Sequence, residues 1–252
     1  MMFRQHSGFR QRSAFRHRRR GPLALVYRGA ASSPCCPEAA AALVAASGYG
    51  FDVRFVGEHE RLRLSPSVLA DAALYVQPGG GSLGPAWKHL ARHRETVRGF
   101  VDAGGSYLGL CLGAYLAGAT PGFGLLPGDT DQYIRTRGAA VRDTHPHLVD
   151  VTWRGRPRSM YFQDGAEIIV DVPHTAGHEV LGRYPNGAIA ALAADFGVGR
   201  VAVSGPHPEA TRDWFIDDGL PPVSAAARAA GLDLIDAAMR TAAATRHHGT
   251  IA

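Results

Sequence analysis

The sequence contains a cysteine flanked by glycines in a pattern that is typical of a catalytic nucleophile. Gly109-Leu110-Cys111-Leu112-Gly113 joins two apolar runs, which predicts a tight strand-to-helix turn with Cys111 at its apex. Side chains two positions either side of such a nucleophile would collide with the neighbouring strand and helix, and glycine avoids this. The start of a helix favours the thiolate, and the N–H of Leu112 is placed to stabilise an oxyanion. A small buried cysteine in an alanine-rich core is the alternative interpretation.

A histidine and a glutamate, two residues apart, follow another apolar run. His207-Pro208-Glu209 comes directly after a loop that ends the strand-like residues 200–204. A thiol nucleophile needs a base, and the base needs an acceptor that orients it. His207 and Glu209 can supply both, although this tripeptide alone is more typical of a surface turn.

A run of glycines follows a third apolar segment. Pro78-Gly79-Gly80-Gly81 would let the backbone approach a reacting carbonyl and donate an N–H, which is the second half of an oxyanion hole. A flexible turn is the other interpretation, because glycine runs alone are not specific.

The elements that must position these groups alternate between strands and helices in the first half. We predict strands at 23–28, 52–56, 73–77 and 106–110, and helices at 37–47, 85–103 and 112–119. This order indicates βαβ units, and catalytic groups of parallel sheets gather where the strands end.

The second half is richer in strands with short turns. We predict strands at 148–153, 158–162, 167–171, 180–184, 188–194 and 200–204, then a terminal helix at 224–245. The predicted fold class is therefore α/β, with a mainly parallel central sheet, helices on both faces and an antiparallel β extension in the second half.

These motifs, in this order, resemble the class I glutamine amidotransferase-like superfamily. The stretches 76–80 and 101–115 most resemble the biotin-protein ligase N-terminal-domain-like family, and the likeness extends from about residue 23 to 214. The resemblance implies a flavodoxin-like core and a Cys–His–Glu triad, with Cys111 as nucleophile, His207 as base and Glu209 as orienting group. It also implies an oxyanion hole made by the backbone of Gly80 and Leu112.

One departure from the family concerns the substrate. Glutamine-using amidotransferases usually carry a glutamine four residues after the cysteine, and Tyr115 stands here instead. Thiol-based acyl chemistry is still expected, whereas the use of glutamine as the substrate stays open. The residues predicted to contact the substrate lie in the glycine run, the elbow helix and two later loops: Gly79, Gly81, Tyr115, Asp131, Tyr133, Gln163 and Asp164. Ordinary solvated turns are the alternative for the loop residues.

The positive charge of the chain is concentrated at its start. The 252 residues have a net charge of +5, but residues 1–20 hold seven arginines and no carboxylate, which leaves −2 for residues 21–252. We predict a basic disordered leader at 1–20 and one amidotransferase-like domain at 21–252. The domain is not expected to bind nucleic acid.

Several other function classes are not expected. No apolar run reaches the ~18–20 residues of a membrane span, and three cysteines do not make a disulfide framework. The spacing of His174 and His178 suits a metal only on a helix, which Pro173 and Gly177 disfavour, and the histidines at 145 and 147 are expected on a surface loop. We expect a cytoplasmic protein with no metal and no cofactor, and no pattern indicates its oligomeric state.

The sequence predicts a cysteine-nucleophile amidohydrolase or amidotransferase-like enzyme that cleaves a small amide through a thioester. Two alternatives stay open: a regulatory module of the same fold that binds a ligand or partner without turnover, and a redox-sensing or hydratase-like cysteine protein. A partner synthetase that accepts ammonia also stays open, although no residue pattern points to one.

Overall fold

A computed structural model describes residues 21–171, 177–222 and 225–240. The predicted leader at 1–20, the histidine at 174 and the predicted helix beyond residue 240 lie outside these ranges.

Most predicted elements are present, with shifted ends. The strands are β1 Leu23–Tyr27, β2 Asp52–Val56, β3 Ala72–Gln77, β4 Ser106–Leu110, β5 Gly128–Gln132, β6 His147–Trp153, β7 Arg156–Phe162, β8 Ala166–Val170, β9 His178–Arg183, β10 Ile189–Phe196 and β11 Gly199–Ser204. The helices are α1 Cys36–Ala45, α2 Pro66–Ala70, α3 Leu83–Leu90, α4 Arg94–Asp102, α5 Leu112–Ala117, α6 Arg212–Asp217 and α7 Ala225–Met239.

The described strands form one mixed sheet in the order β2-β1-β3-β4-β11-β10-β9-β6-β7, with β8 pairing with β10 and β5. The pairs from β2 to β11 are parallel, and the pairs from β11 onward, with those of β5 and β8, are antiparallel. The prediction of a mainly parallel sheet is therefore corrected to a mixed one. The tight turns between β6 and β7 and between β10 and β11 allow only antiparallel pairing.

Helices cover both faces of the parallel half. Alternate residues of β1 point to opposite sides, so Ala24 and Val26 pack with α1 and α7, whereas Leu25 and Tyr27 pack with α2, α3, α4 and α5. Within the described ranges, no helix combines the length and the apolar character that crossing a bilayer requires.

Several local elements, including helix α6, differ from what the sequence predicts. The helix predicted at 85–103 is divided into α3 and α4 by a 3-10 turn at Ala91–His93, which lets Leu90 and Val97 both reach the same core. Helix α2 and strand β5 were not predicted. The β5 sequence, Gly-Asp-Thr-Asp-Gln, has no apolar residue, and the strand forms because β8 supplies its hydrogen bonds.

The parallel half brings the predicted motifs to one edge of the sheet. Strands β3, β4 and β11 are neighbours, with Gln77 opposite Gly109 and Leu110 opposite Ser204. The loops that follow these three strands carry the glycine run, the cysteine and the histidine, so the register places them side by side.

Candidate active site

The backbone at Cys111 has the strained geometry of a nucleophile elbow. Cys111 has φ 49° and ψ −103° and directly precedes α5, a conformation that a non-glycine residue adopts only under constraint. A Cβ at Gly109 would lie 2.4 Å from the Gly113 carbonyl oxygen, and one at Gly113 would lie 2.0 Å from that of Gln77. The turn therefore requires both glycines, as the sequence predicted.

His207 and Glu209 form a buried pair beside the cysteine. The His207 Nδ1 lies 2.8 Å from the Glu209 Oε1, and the two side chains are 5% and 0% exposed. The His207 ring lies beside Cys111, and both residues line the same cavity. The backbone N–H of His207 donates to the Tyr161 carbonyl at 2.9 Å. The imidazole is thus held between a thiol and a carboxylate, in an orientation fixed by the backbone.

The surroundings of His207 favour its protonated form. Burial opposes the imidazolium, but the negative charges of Cys111 and Glu209, with the hydrogen bond to Glu209, outweigh burial and raise the pKa of His207 to about 10. The imidazolium is therefore the favoured form of His207 at neutral pH. The Glu209 Oε2 is buried and has no hydrogen-bond partner among the described residues.

The glycine run packs directly against the cysteine and the histidine. Gly80 has φ +120°, and a Cβ there would lie 2.0 Å from the Ser33 nitrogen. A Cβ at Gly79 would lie 2.6 Å from the His207 Cε1 and 3.4 Å from the Cys111 Cβ. Only glycine fits these two positions without movement of the neighbours, and the loop backbone approaches the thiol for the same reason.

A cavity of about 880 Å³ opens over the thiol. Its lining includes most of the residues predicted for the site: Gly80, Gly81, Cys111, Leu112, Tyr115, Asp131, Gln163, Asp164 and His207. Glu209 lies behind the histidine, and Gly79 lies under it. The parallel strand ends and the later loops thus meet around one space, as a catalytic site requires.

Tyr115 and the loop after β7 form one wall of this cavity. The Tyr115 hydroxyl donates to the Asp164 backbone carbonyl at 3.1 Å. The Cys111 Sγ lies 3.6 Å from the Gln163 carbonyl oxygen, which accepts a hydrogen bond from the protonated thiol. Gln132 Nε2 donates to both Asp164 carboxylate oxygens, at 3.1 and 2.9 Å. Burial raises the pKa of Asp164, and the Gln132 hydrogen bond partly offsets this.

The prediction that Tyr133 contacts the substrate is wrong. Its side chain is fully buried and stacks on Tyr184, with ring centroids 3.7 Å apart. Its hydroxyl accepts a hydrogen bond from the Ala140 backbone N–H at 2.9 Å. The loop was correctly placed near the site, but the tyrosine points into the core because its ring completes an aromatic cluster there.

Sequence reasoning missed the aromatic side chains that enclose His207. The Tyr161 and Trp214 rings meet the imidazole edge to face, with centroids 5.7 and 5.3 Å away. The Tyr161 hydroxyl donates to the Asp218 Oδ2 at 2.6 Å. Tyr161 belongs to β7 and Trp214 to α6, so only the tertiary structure brings them together. The one available signal was a tryptophan five residues after Glu209.

A second thiol, Cys36, also lines the cavity. It begins α1 and is 8% exposed. Burial, followed by the negative charges of Glu209 and Cys111, raises the pKa of Cys36 well above that of an ordinary thiol. Cys36 is therefore a protonated neighbour, which makes it a matched control for Cys111.

No described group of three or more histidine, cysteine or carboxylate side chains has the arrangement of a metal site. His145 and His147 both contact the Asp143 Oδ1, at 3.2 and 2.8 Å, on the exposed surface.

The comparisons with known proteins agree with the resemblance seen in the sequence. The family model described as "Biotin-protein ligase, N terminal" matches residues 23–131, which include the glycine run and Cys111. A crystal structure of a glutamine amidotransferase is similar over 79% of this chain and 100% of that chain, at 17% identity and a TM-score of 0.55.

A cytoplasmic protein from Salmonella typhimurium is similar over 88% of this chain and 99% of its own, at 11% identity and a TM-score of 0.52. No curated protein matches the sequence. At these identities the structural matches show the fold alone. The fold is thus shared with a glutamine amidotransferase, and the chemistry has to be argued from the site.

Proposed function

Starting from the match of residues 23–131 to the N-terminal part of biotin-protein ligase and from the amidotransferase-like fold, we propose that this protein is a cysteine-nucleophile amidase. The observation that carries the proposal is the strained Cys111 beside a buried His207–Glu209 pair at the base of a cavity. A cysteine buried for packing alone would need neither the strain nor the charged partners.

The first half of the proposed reaction is acylation. The Cys111 thiolate attacks the carbonyl carbon of the amide, and the carbonyl electron pair moves onto oxygen. The N–H groups of Leu112 and Gly80 stabilise this oxyanion, because the first N–H of a helix has no partner within the helix. The His207 imidazolium then protonates the leaving nitrogen, the C–N bond breaks, and an amine or ammonia departs from a thioester.

The second half is hydrolysis. Neutral His207 takes a proton from water, and the resulting hydroxide attacks the thioester carbonyl. The C–S bond breaks, the thiolate reforms beside the imidazolium, and the acid leaves. One amide and one water thus give one carboxylic acid and one amine. Glu209 orients the ring and stabilises its charge throughout, while Tyr161 and Trp214 keep bulk water from that face.

The substrate position near Tyr115 supports a small amide other than glutamine. The Tyr115 hydroxyl is already engaged with the Asp164 carbonyl, and the ring is 9% exposed. The side chain therefore offers the cavity an apolar surface, where glutamine-using relatives would offer an amide. Asp131, Gln163 and the backbone of Gly81 complete the proposed contacts.

The test is release of ammonia or amine from a panel of small primary amides and γ-glutamyl amides. Wild type and Cys36→Ser are expected to turn over at least one of them, and Cys111→Ser is expected to lose about 10⁴-fold or more. Equal turnover by wild type and Cys111→Ser would contradict the proposal, as would no turnover together with no labelling of Cys111 by an electrophilic amide analogue. A cytoplasmic location and an ammonia-accepting partner synthetase stay predictions.

A further inference from the structure

The charges around the proposed nucleophile are almost all of one sign. Four carboxylates line the cavity, from three separate parts of the chain: Asp131, Asp164, Asp217 and Asp218. No lysine or arginine lines it within the described residues. Cys111 and His207 carry no net charge as a pair, whether the proton lies on sulfur or on nitrogen, so the rest of the wall sets the net charge of the space.

These carboxylates are only partly neutralised. Asp217 makes no ion pair or hydrogen bond with any described residue, and Asp131 accepts only the adjacent Gln132 N–H, at 2.7 Å. Asp218 accepts from the neutral Tyr161 hydroxyl. Asp164 accepts from the neutral Gln132 amide, and Arg135, which lowers its pKa, stays outside the lining. Hydrogen bonds from neutral donors leave the negative charge in place.

An adjoining cavity is also lined mainly by negatively charged side chains. A space of about 800 Å³ shares Ser33, Pro34, Cys35, Trp214 and Asp217 with the first cavity. Its charged lining adds the carboxylates of Asp213, Glu38 and Glu60. Its one arginine, Arg28, is paired with both glutamates, at 3.0 and 2.6 Å, and lies over the Phe55 ring. Neither described wall therefore holds a lysine or arginine that lacks a carboxylate partner.

A concave surface of one charge concentrates ligands of the opposite charge and repels those of the same charge. An anionic amide would have to approach several carboxylates without any arginine or lysine to receive it, which is unfavourable where like charges face each other. Asp217 lines both cavities, so a cationic group held there would share one continuous space with an amide at Cys111. Apolar Pro34 and Trp214 flank this path and suit an alkyl chain.

We propose that the substrate is an amide that carries a positively charged amine or quaternary ammonium group, held by Asp217 and the surrounding carboxylates. This inference rests on the proposed amidase function for the identity of the reacting bond. Asp131 and Asp217 are specificity-determining residues in this scheme, because they act on the charged end of the substrate rather than on the scissile bond.

The first experiment measures charge selection at Cys111 without any turnover. The chain has three cysteines, so Cys35→Ser/Cys36→Ser leaves Cys111 as the one reactive thiol. The rates at which Cys111 reacts with a cationic reagent, trimethylammonium-ethyl methanethiosulfonate, and an anionic one, sulfonatoethyl methanethiosulfonate, are measured at low salt. Each rate is divided by the rate of the same reagent with free mercaptoethanol, which removes the intrinsic reactivity of the reagent. The thiolate displaces methanesulfinate in each case and forms a mixed disulfide, which intact mass reports.

The expected normalised preference for the cationic reagent is roughly tenfold or more, and it decreases as salt is added. Asp131→Asn/Asp217→Asn is expected to reduce the preference at least about threefold. Asp71→Asn is the matched control, because Asp71 precedes β3 and lies at the opposite edge of the sheet from the site. A normalised ratio near one, or a ratio that Asp71→Asn changes as much as the double variant, overturns the proposal.

The second experiment compares three amides of similar length by ammonia release: γ-trimethylammoniobutyramide, its neutral tert-butyl isostere and glutaramate. The value of kcat/KM is expected to fall in that order, with the largest loss for glutaramate. A preference for glutaramate overturns the charge proposal while leaving the amidase proposal intact. Failure of these three amides and of the wider panel, with no labelling of Cys111 by the electrophilic amide analogue, contradicts the amidase proposal, and a cationic preference in the first experiment would still establish charge selection.

Discussion

The parallel and antiparallel halves of the sheet contribute different things to the cavity. Strands β3, β4 and β11 end in the glycine run, the cysteine and the histidine. Strands β5 and β7, with helix α6, supply the surrounding walls and most of the carboxylates. The reacting groups thus come from the parallel half of the sheet. The groups that would select the substrate come from the antiparallel strands, their loops and helix α6.

This division predicts that the two sets tolerate change differently. The glycines that position the reacting groups are crowded, since a Cβ added at Gly80, Gly109 or Gly113 would lie 2.0 to 2.4 Å from backbone atoms. The carboxylates of the walls are mostly exposed to solvent and accept few hydrogen bonds. We therefore expect substitutions in the parallel half to reduce the reaction for every amide, and substitutions in the walls to change which amide is preferred.

The largest expected effect is that of His207→Gln. This change keeps a polar side chain but removes both the acid and the base, and we expect kcat to fall about 10⁴-fold for cationic and neutral amides alike. Steady-state ammonia release from both amides is the measurement. A loss confined to the cationic amide would assign His207 to substrate selection and would break the comparison.

The next effect concerns the glycine run. Gly80→Ala forces a Cβ to 2.0 Å from the Ser33 nitrogen at φ +120°, whereas Gly81→Ala meets open space at φ +70°. We expect Gly80→Ala to cost roughly 1–3 kcal/mol of unfolding free energy and most of kcat, and Gly81→Ala about 1 kcal/mol or less. Urea unfolding and turnover of both variants are compared. Equal effects would show that crowding by Ser33 does not matter.

Much of the parallel half could be predicted from the sequence because its signals are local. The glycines two positions either side of Cys111, and the apolar runs before Cys111 and His207, lie within a few residues of the groups they position. The walls could not be predicted in this way. Trp214 and Tyr161 meet only through tertiary packing, and β5 has no apolar residue of its own.

A third prediction uses the charge pair inside the parallel half. Because the folded-state pKa of His207, about 10, lies above its ordinary value near 6.5, its protonation stabilises the fold fully below pH 6.5. This contribution is lost as pH rises through about 10. Glu209→Gln removes one cause of the raised pKa while keeping the shape of the side chain.

The stability advantage of wild type over Glu209→Gln should therefore be largest near pH 6.5 and should shrink toward pH 10. The kcat of Glu209→Gln should be roughly 10²-fold below that of wild type, because the His207 ring loses the charge that orients it. Urea unfolding at several pH values gives the first result. A difference that grows with pH would contradict the sign of the His207 interaction.

The smallest expected effect is that of Tyr115→Phe in the cavity wall. The change removes the hydrogen bond to the Asp164 carbonyl, a net contribution of about 1 kcal/mol, and leaves the ring in place. We expect a small loss of stability and little change in kcat, whereas KM rises if the Asp164 loop shifts. A large fall in kcat would instead place Tyr115 among the reacting groups of the parallel half.

The most direct test of the central claim is the covalent intermediate itself. The nitrophenyl ester of γ-trimethylammoniobutyrate is mixed with the enzyme, quenched in acid within the burst of nitrophenol release, and analysed by intact mass and peptide mapping. The account predicts one acyl group on Cys111, no adduct in Cys111→Ser, and an adduct that persists in Cys36→Ser. An adduct on any other residue, or a burst of equal size in Cys111→Ser, would contradict it.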